Sequence, residues 1–81
     1  MSSKQVNILT NIIITYKMNK INKNDNFVSE LICDTEEEKD FYMNALHYLK
    51  FITRVFKMQK VNNTYYYLIM VYEDKNHQVI I

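Results

Sequence analysis

Neither glycine nor proline occurs anywhere in the 81 residues, and no other feature of the sequence constrains the fold as much. Average usage would supply roughly six glycines and four prolines in a chain of this size. Turns that need a positive φ therefore fall to Asn or Asp, which enter the left-handed region most readily after glycine. Glycine-rich phosphate loops and dinucleotide fingerprints are excluded. Asn, Lys, Ile and Tyr are abundant and Ala occurs once. The abundant residues have A/T-rich codons, which fits an A/T-rich genome such as that of a small virus.

Hydrophobic residues make up 48% of the chain, which suits a folded globular protein and not a disordered one. The length allows one domain, 1–81, with a single core. A formal net charge of +1 selects no partner. Cys33 is the sole cysteine, so no intrachain disulfide can form. It reads as a small buried hydrophobe. No apolar run approaches a membrane span and Met1 opens no leader-like pattern. The expectation is a cytoplasmic, or at least intracellular, protein with no membrane contact.

Ser2 and Gln5 have the spacing of a capping box. Val6, Leu9, Ile13 and Tyr16 follow at helical intervals, with Ile12 alongside, so residues 2–17 read as a helix. A strand is the rival reading, because Val6, Ile8, Thr10, Ile12, Ile14 and Tyr16 also alternate. Residues 18–26 are polar and read as an exposed loop. Phe27, Val28, Leu31 and Ile32 suit a short second helix over Phe27 to Cys33. The clearest signal is the next helix start. Thr35 and Glu38 form a capping box, and Glu36, Glu37 and Glu38 sit where the helix dipole favours acids. Phe41, Tyr42, Ala45, Leu46, Leu49 and Ile52 form its apolar stripe, so this helix is expected from Thr35 to about Phe51.

Beyond Thr53 the residues turn β-like. Runs 53–61 and 64–72 flank Asn62-Asn63, a pair able to make a two-residue hairpin turn without glycine. That turn sets Val61 opposite Thr64, Met58 opposite Tyr67 and Phe56 opposite Ile69. Residues 73–76 read as a turn, and His77 to Ile81 as a short C-terminal strand or tail.

The sequence of elements is helix, short helix, longer helix, hairpin. This order, and the text of residues 27–72, FVSELICDTEEEKDFYMNALHYLKFITRVFKMQKVNNTYYYLIMVY, resemble the winged helix-turn-helix family. The likeness covers about residues 3–72. It implies an α+β winged-helix fold with three helices, a hairpin wing from Val55 to Tyr72, and a short strand after it. It also implies a nucleic-acid-binding regulator of transcription that is not an enzyme, with DNA as the partner. One departure is the sequence Phe51-Ile52-Thr53 where the family usually has a glycine before the wing. Replacing the first helix by a strand would instead give a β-α-β-β sheet domain and remove this likeness.

The acidic start of the third helix would repel phosphate, so nucleic-acid contact is expected elsewhere. Arg54, Lys57 and Lys60, with Tyr65 beside them, form a basic strand interleaved with aromatics, able to track a backbone and stack bases, with Arg54 and Lys60 on one expected face and Lys57 on the other. Asn44 and His47, on the polar side of the helix, complete the candidate set. Lys17, Lys20 and Lys23 carry further positive charge around the expected loop. The plainer reading is an edge hairpin carrying Lys against aggregation and Tyr for strand propensity. Cys33, His47 and His77 have no close-set spacing, so no metal site and no cofactor is expected. Glu36 and Glu37 point apart on a helix and make no catalytic pair. A protein-interaction module, an inhibitor or adaptor of a host complex, is the alternative function.

The expected register gives the hairpin two faces. Phe56, Met58, Tyr67, Ile69 and Val71 would cover the helices. Val55, Lys57, Gln59, Tyr66, Leu68, Met70 and Tyr72 would face away. That outer face is too apolar for a solvated one. Either the tail Val79-Ile80-Ile81 or a second copy would cover it. The tail is small, so the expectation is a homodimer through Val55, Tyr66, Leu68, Met70 and Tyr72.

Overall fold

The computed structural model describes residues 2–22 and 26–76, with backbone alone at 20–22. Its elements are α1 (Ser3–Asn22), β1 (Phe27–Cys33), α2 (Glu36–Tyr48), β2 (Phe51–Gln59) and β3 (Tyr65–Glu73). The class is α+β. The strands form one antiparallel sheet in the order β1-β3-β2.

The first helix starts as its capping box dictates. The Ser2 backbone N–H donates to Gln5 Oε1 at 2.9 Å, and the Gln5 N–H donates to Ser2 Oγ at 3.2 Å. Two otherwise unpaired donors are thereby satisfied. Leu9, Ile12 and Tyr16 are buried, one helical turn apart. Of the expected stripe, Val6 is exposed and Ile13 half-buried, and Ile12 beside it completes the buried line. The helix also runs to Asn22, into the expected loop. Residues 18–22 lack glycine and proline, and nothing in their backbone chemistry stops a helix already formed.

The second helix is capped by Thr35, which is extended and accepts from the Glu38 N–H at 3.1 Å. Glu36, Glu37 and Glu38 occupy its first turn, where the dipole favours them. It ends at Tyr48, three residues before the expected end. Lys50 takes φ 74°, and its N–H donates to the His47 carbonyl at 3.0 Å. This left-handed residue reverses the chain after the helix, a place usually given to glycine. Here a lysine fills it.

Residues 27–33 are a strand, so the expected short helix is not formed. Two helices, not three, occur among the described residues, and a strand separates them. The consecutive helices of a helix-turn-helix are therefore not found there. The apolar positions 27, 28, 31 and 32 fit a helix face equally well. Pairing decided the outcome: β3 is apolar from Tyr65 to Tyr72 and accepts a strand on each edge. The register of β1 shifts between Phe27 and Ser29. This bulge lets Val28 turn inward with Leu31 and Cys33, all three buried.

The hairpin is one residue out of the expected register. Lys57 lies opposite Tyr67, Met58 opposite Tyr66 and Phe56 opposite Leu68. The cause is the loop. Lys60 N–H donates to the Thr64 carbonyl at 2.7 Å, and Asn63 N–H donates to the Lys60 carbonyl at 3.2 Å. The loop is Val61-Asn62-Asn63, with Asn63 at φ 63°. Three-residue hairpin loops carry a left-handed residue at this position, and without glycine an asparagine takes it. One added loop residue turns every side chain of β2 to the other face.

Both helices lie on the same face of the sheet. Leu9, Ile12, Tyr16, Tyr42 and Leu46 pack with Val28, Leu31, Cys33, Phe51, Ile69 and Val71 into one core. Tyr16 meets Phe51 edge to face at 5.5 Å between ring centres. Cys33 is fully buried, and burial, Glu38 and Asp34 push its thiol up to about 11. The expected C-terminal strand from His77 onward lies outside the described residues.

Candidate functional site

The sheet has a second face. Side chains alternate across a strand, so the register assigns each residue to the helical face or the opposite one. Three rows cross the opposite face. Phe27, Tyr72 and Ile52 form the first, Glu30, Met70 and Arg54 the second, and Ile32, Leu68 and Phe56 the third. Tyr66 and Met58 extend it toward the loop. No described residue lies over this face. Ile32 is 62% exposed, Phe56 46% and Ile52 45%. Leu68, Met70 and Tyr72, on the central strand, are half-buried by their own neighbours. A solvated sheet face is ordinarily polar. Here Glu30 and Arg54 are the only charges in the three rows.

Of the residues expected at a dimer interface, Tyr66, Leu68, Met70 and Tyr72 lie on this open face. Val55 does not: it pairs with Ile69 and packs against the core. The three-residue loop accounts for the correction, because it reverses β2 and leaves β3 as expected. The same reversal brings Phe56 and Met58 out and puts Lys57 and Gln59 on the helical side. Sequence reasoning missed the β1 contribution, Phe27, Glu30 and Ile32. The alternation of Leu31 and Cys33 fits a half-buried strand, but Phe27, Val28, Leu31 and Ile32 fit a helix face as well.

The expected nucleic-acid residues do not form one surface. Arg54 is on the open face, with its guanidinium 5.9 Å from the Tyr72 ring centre. Lys57 and Tyr65 share the other face near the hairpin tip, with Nζ 4.6 Å from the ring centre. Lys60 pairs with Asp34 at 3.3 Å. Asn44 is exposed on α2. His47 is exposed on the same helix, its Nε2 2.8 Å from Thr53 Oγ1. His47, Lys50, Phe51 and Asp74 line an open depression of about 310 Å³. Lys39 lies on α2 with Nζ 5.3 Å from the Tyr67 ring centre. Its hydrogen bond to Asp40 holds its charge more firmly than usual.

Among the described residues no three His, Cys, Asp or Glu side chains gather as metal ligands, and no helix is long and apolar enough to cross a membrane. No family model, curated protein or solved structure matches the chain.

Proposed function

We propose that this chain is a non-enzymatic protein-interaction module that acts through the open face of its sheet. One observation carries the reading: two apolar rows, Phe27-Tyr72-Ile52 and Ile32-Leu68-Phe56, flank the Glu30-Met70-Arg54 row on a face over which no described residue lies. Apolar surface that a monomer leaves uncovered in a contiguous patch marks a place of association. Dye binding tests it. An environment-sensitive apolar dye should brighten with dilute wild type and stay dark with Phe56→Lys/Leu68→Lys of unchanged circular dichroism. A dark wild type at dilution overturns the reading, because the face is then covered from within.

The second reading makes the hairpin a nucleic-acid-binding wing that acts without a helix-turn-helix. The Lys57–Tyr65 pair near the tip favours it, since a base can stack where a cation and a ring already meet. Against it stand the acids that open α2 and the Asp34 that neutralises Lys60. A salt titration against mixed DNA and RNA separates the two readings. The interaction-module reading expects no binding that Arg54→Ala/Lys57→Ala/Lys60→Ala alters. Low-salt binding whose salt slope flattens in that variant would establish the wing instead.

A further inference from the structure

We propose that the occupant of the open face is a second copy of this chain, packed sheet on sheet about a two-fold axis parallel to β3. The proposal rests on the interaction-module reading and specifies its partner. The argument is the placement of the two charges. Glu30 and Arg54 stand in one row on opposite edge strands, with Met70 between them. Both are exposed, and neither carboxylate nor guanidinium has an ion-pair partner among the described residues.

Face-to-face packing of two identical sheets allows two kinds of two-fold axis in the plane between them. An axis across the strands lays each β1 on the other β1. Glu30 then meets Glu30 of the partner subunit, and Arg54 meets Arg54 of the partner subunit. Like charges brought together in a forming interface oppose it. An axis along the strands lays each β1 on the other β2. Glu30 then faces the partner's Arg54, and the reciprocal pair forms on the far side of the axis. The same operation sets Ile32 against the partner's Phe56 and Phe27 against the partner's Ile52. A branched aliphatic meets a ring in both rows, and the central strands meet along Leu68, Met70 and Tyr72. Aligned packing with the sheets turned by their twist is the common arrangement of two such faces.

The area is sufficient. Three strands about 4.8 Å apart, advancing about 3.4 Å per residue, give a projected face on the order of 400 Å² per copy. Side-chain relief adds to this, so two copies bury on the order of 1,000 Å², the size of a weak, reversible interface. An interface of this size associates reversibly, which makes its concentration dependence measurable.

The experiment is sedimentation equilibrium on the full chain with Glu30→Arg, Arg54→Glu, the double exchange and Leu68→Lys. Wild type should dimerise, and Leu68→Lys should be monomeric. Each single charge reversal should weaken the dimer roughly tenfold or more, and the double exchange should restore it to near wild type. The exchanged positions are exposed, so folding survives even where Leu68→Lys perturbs it. A dimer indifferent to the single reversals, or not rescued by the double exchange, overturns the axis. A dimer that a folded Leu68→Lys leaves intact overturns the face. A wild type that is monomeric at high micromolar concentration overturns the second copy. In that case the dye separates the causes: a bright monomer keeps the interaction-module reading with a different partner, and a dark monomer ends both.

Discussion

The two faces of one sheet are built from alternate residues of the same strands, yet they meet different surroundings. On the helical face Leu31, Cys33, Ile69 and Val71 are buried under α1 and α2. On the other face Ile32, Leu68 and Met70 occupy the positions between them, nearly as apolar and without described cover. Interior composition on both sides belongs to a sheet sandwiched between two layers. The smallest extent of the molecule, 18 Å, fits a sheet with a helical layer on one side. No second layer lies over the sheet among the described residues, and the proposed second copy would supply it.

The widest separation between the faces should appear at adjacent residues of β3. Ile69→Ala empties a fully buried site and should lower stability by roughly 2–5 kcal/mol. Leu68→Ala should change the stability of the dilute protein by less than about 1 kcal/mol. Denaturant unfolding of both variants at low concentration checks this. Equal losses would mean that both faces are covered within one chain.

The pH dependence probes the covered face alone. Burial raises the Cys33 thiol from 9.0 to about 11. Its protonated form is therefore favoured in the fold, and its contribution is intact below about pH 9. As pH rises from 9 to 11 the unfolded thiol ionises first, and that contribution is lost, on the order of 2 kcal/mol. The stability difference between wild type and Cys33→Ala should shrink over this window and stay constant from pH 6 to 8. A difference that is flat to pH 11 would place the thiol in water.

Smaller effects concern how α2 is held over the sheet. Thr35→Ala removes the acceptor for the Glu38 N–H and should cost about 0.5–2 kcal/mol. An unchanged unfolding midpoint would remove the cap from the account. Lys50→Gly should raise stability by about 0.5 kcal/mol, because the left-handed strain relieved slightly exceeds the added chain entropy. A lower midpoint would show that the lysine side chain contributes more than its backbone angle costs.

Local chemistry was legible wherever it acts within one turn. The capping box of α1, the Thr35 cap of α2 and its buried Tyr42 and Leu46, and the use of asparagine in the hairpin loop could be read directly from the residues, whereas Ile52, expected on the same helix, lies in β2. Two features could not. Phe27, Val28, Leu31 and Ile32 fit a helix and a bulged strand equally, and only the free edge of β3 chose between them. The hairpin register turned on whether Val61 belongs to the strand or the loop, and its side chain favours a strand. That single residue reversed β2, moved Val55 inside and brought Phe56 out. The open face survived the error because β3 kept its parity, so Tyr66, Leu68, Met70 and Tyr72 were found while Ile32 and Glu30 were missed. Alternation divides Arg54 from Lys57 in the sequence as it does along β2, whereas the pairing of Lys60 with Asp34 spans 26 residues and could not be read from the residues.

Moving one thiol by one residue tests the contrast between the faces most directly. In the wild type the thiol is on β1 at Cys33, under the helices. In Ile32→Cys/Cys33→Ala it is on the same strand, on the open face. The measurement is the alkylation rate of each protein in the native state over a range of protein concentration. Cys33 should stay unreactive at every concentration until the protein unfolds. The relocated thiol should react rapidly at high dilution and more slowly as concentration rises and a second copy covers it. A relocated thiol as protected as Cys33 at the lowest concentration would contradict the account, because no face of the sheet would then be open.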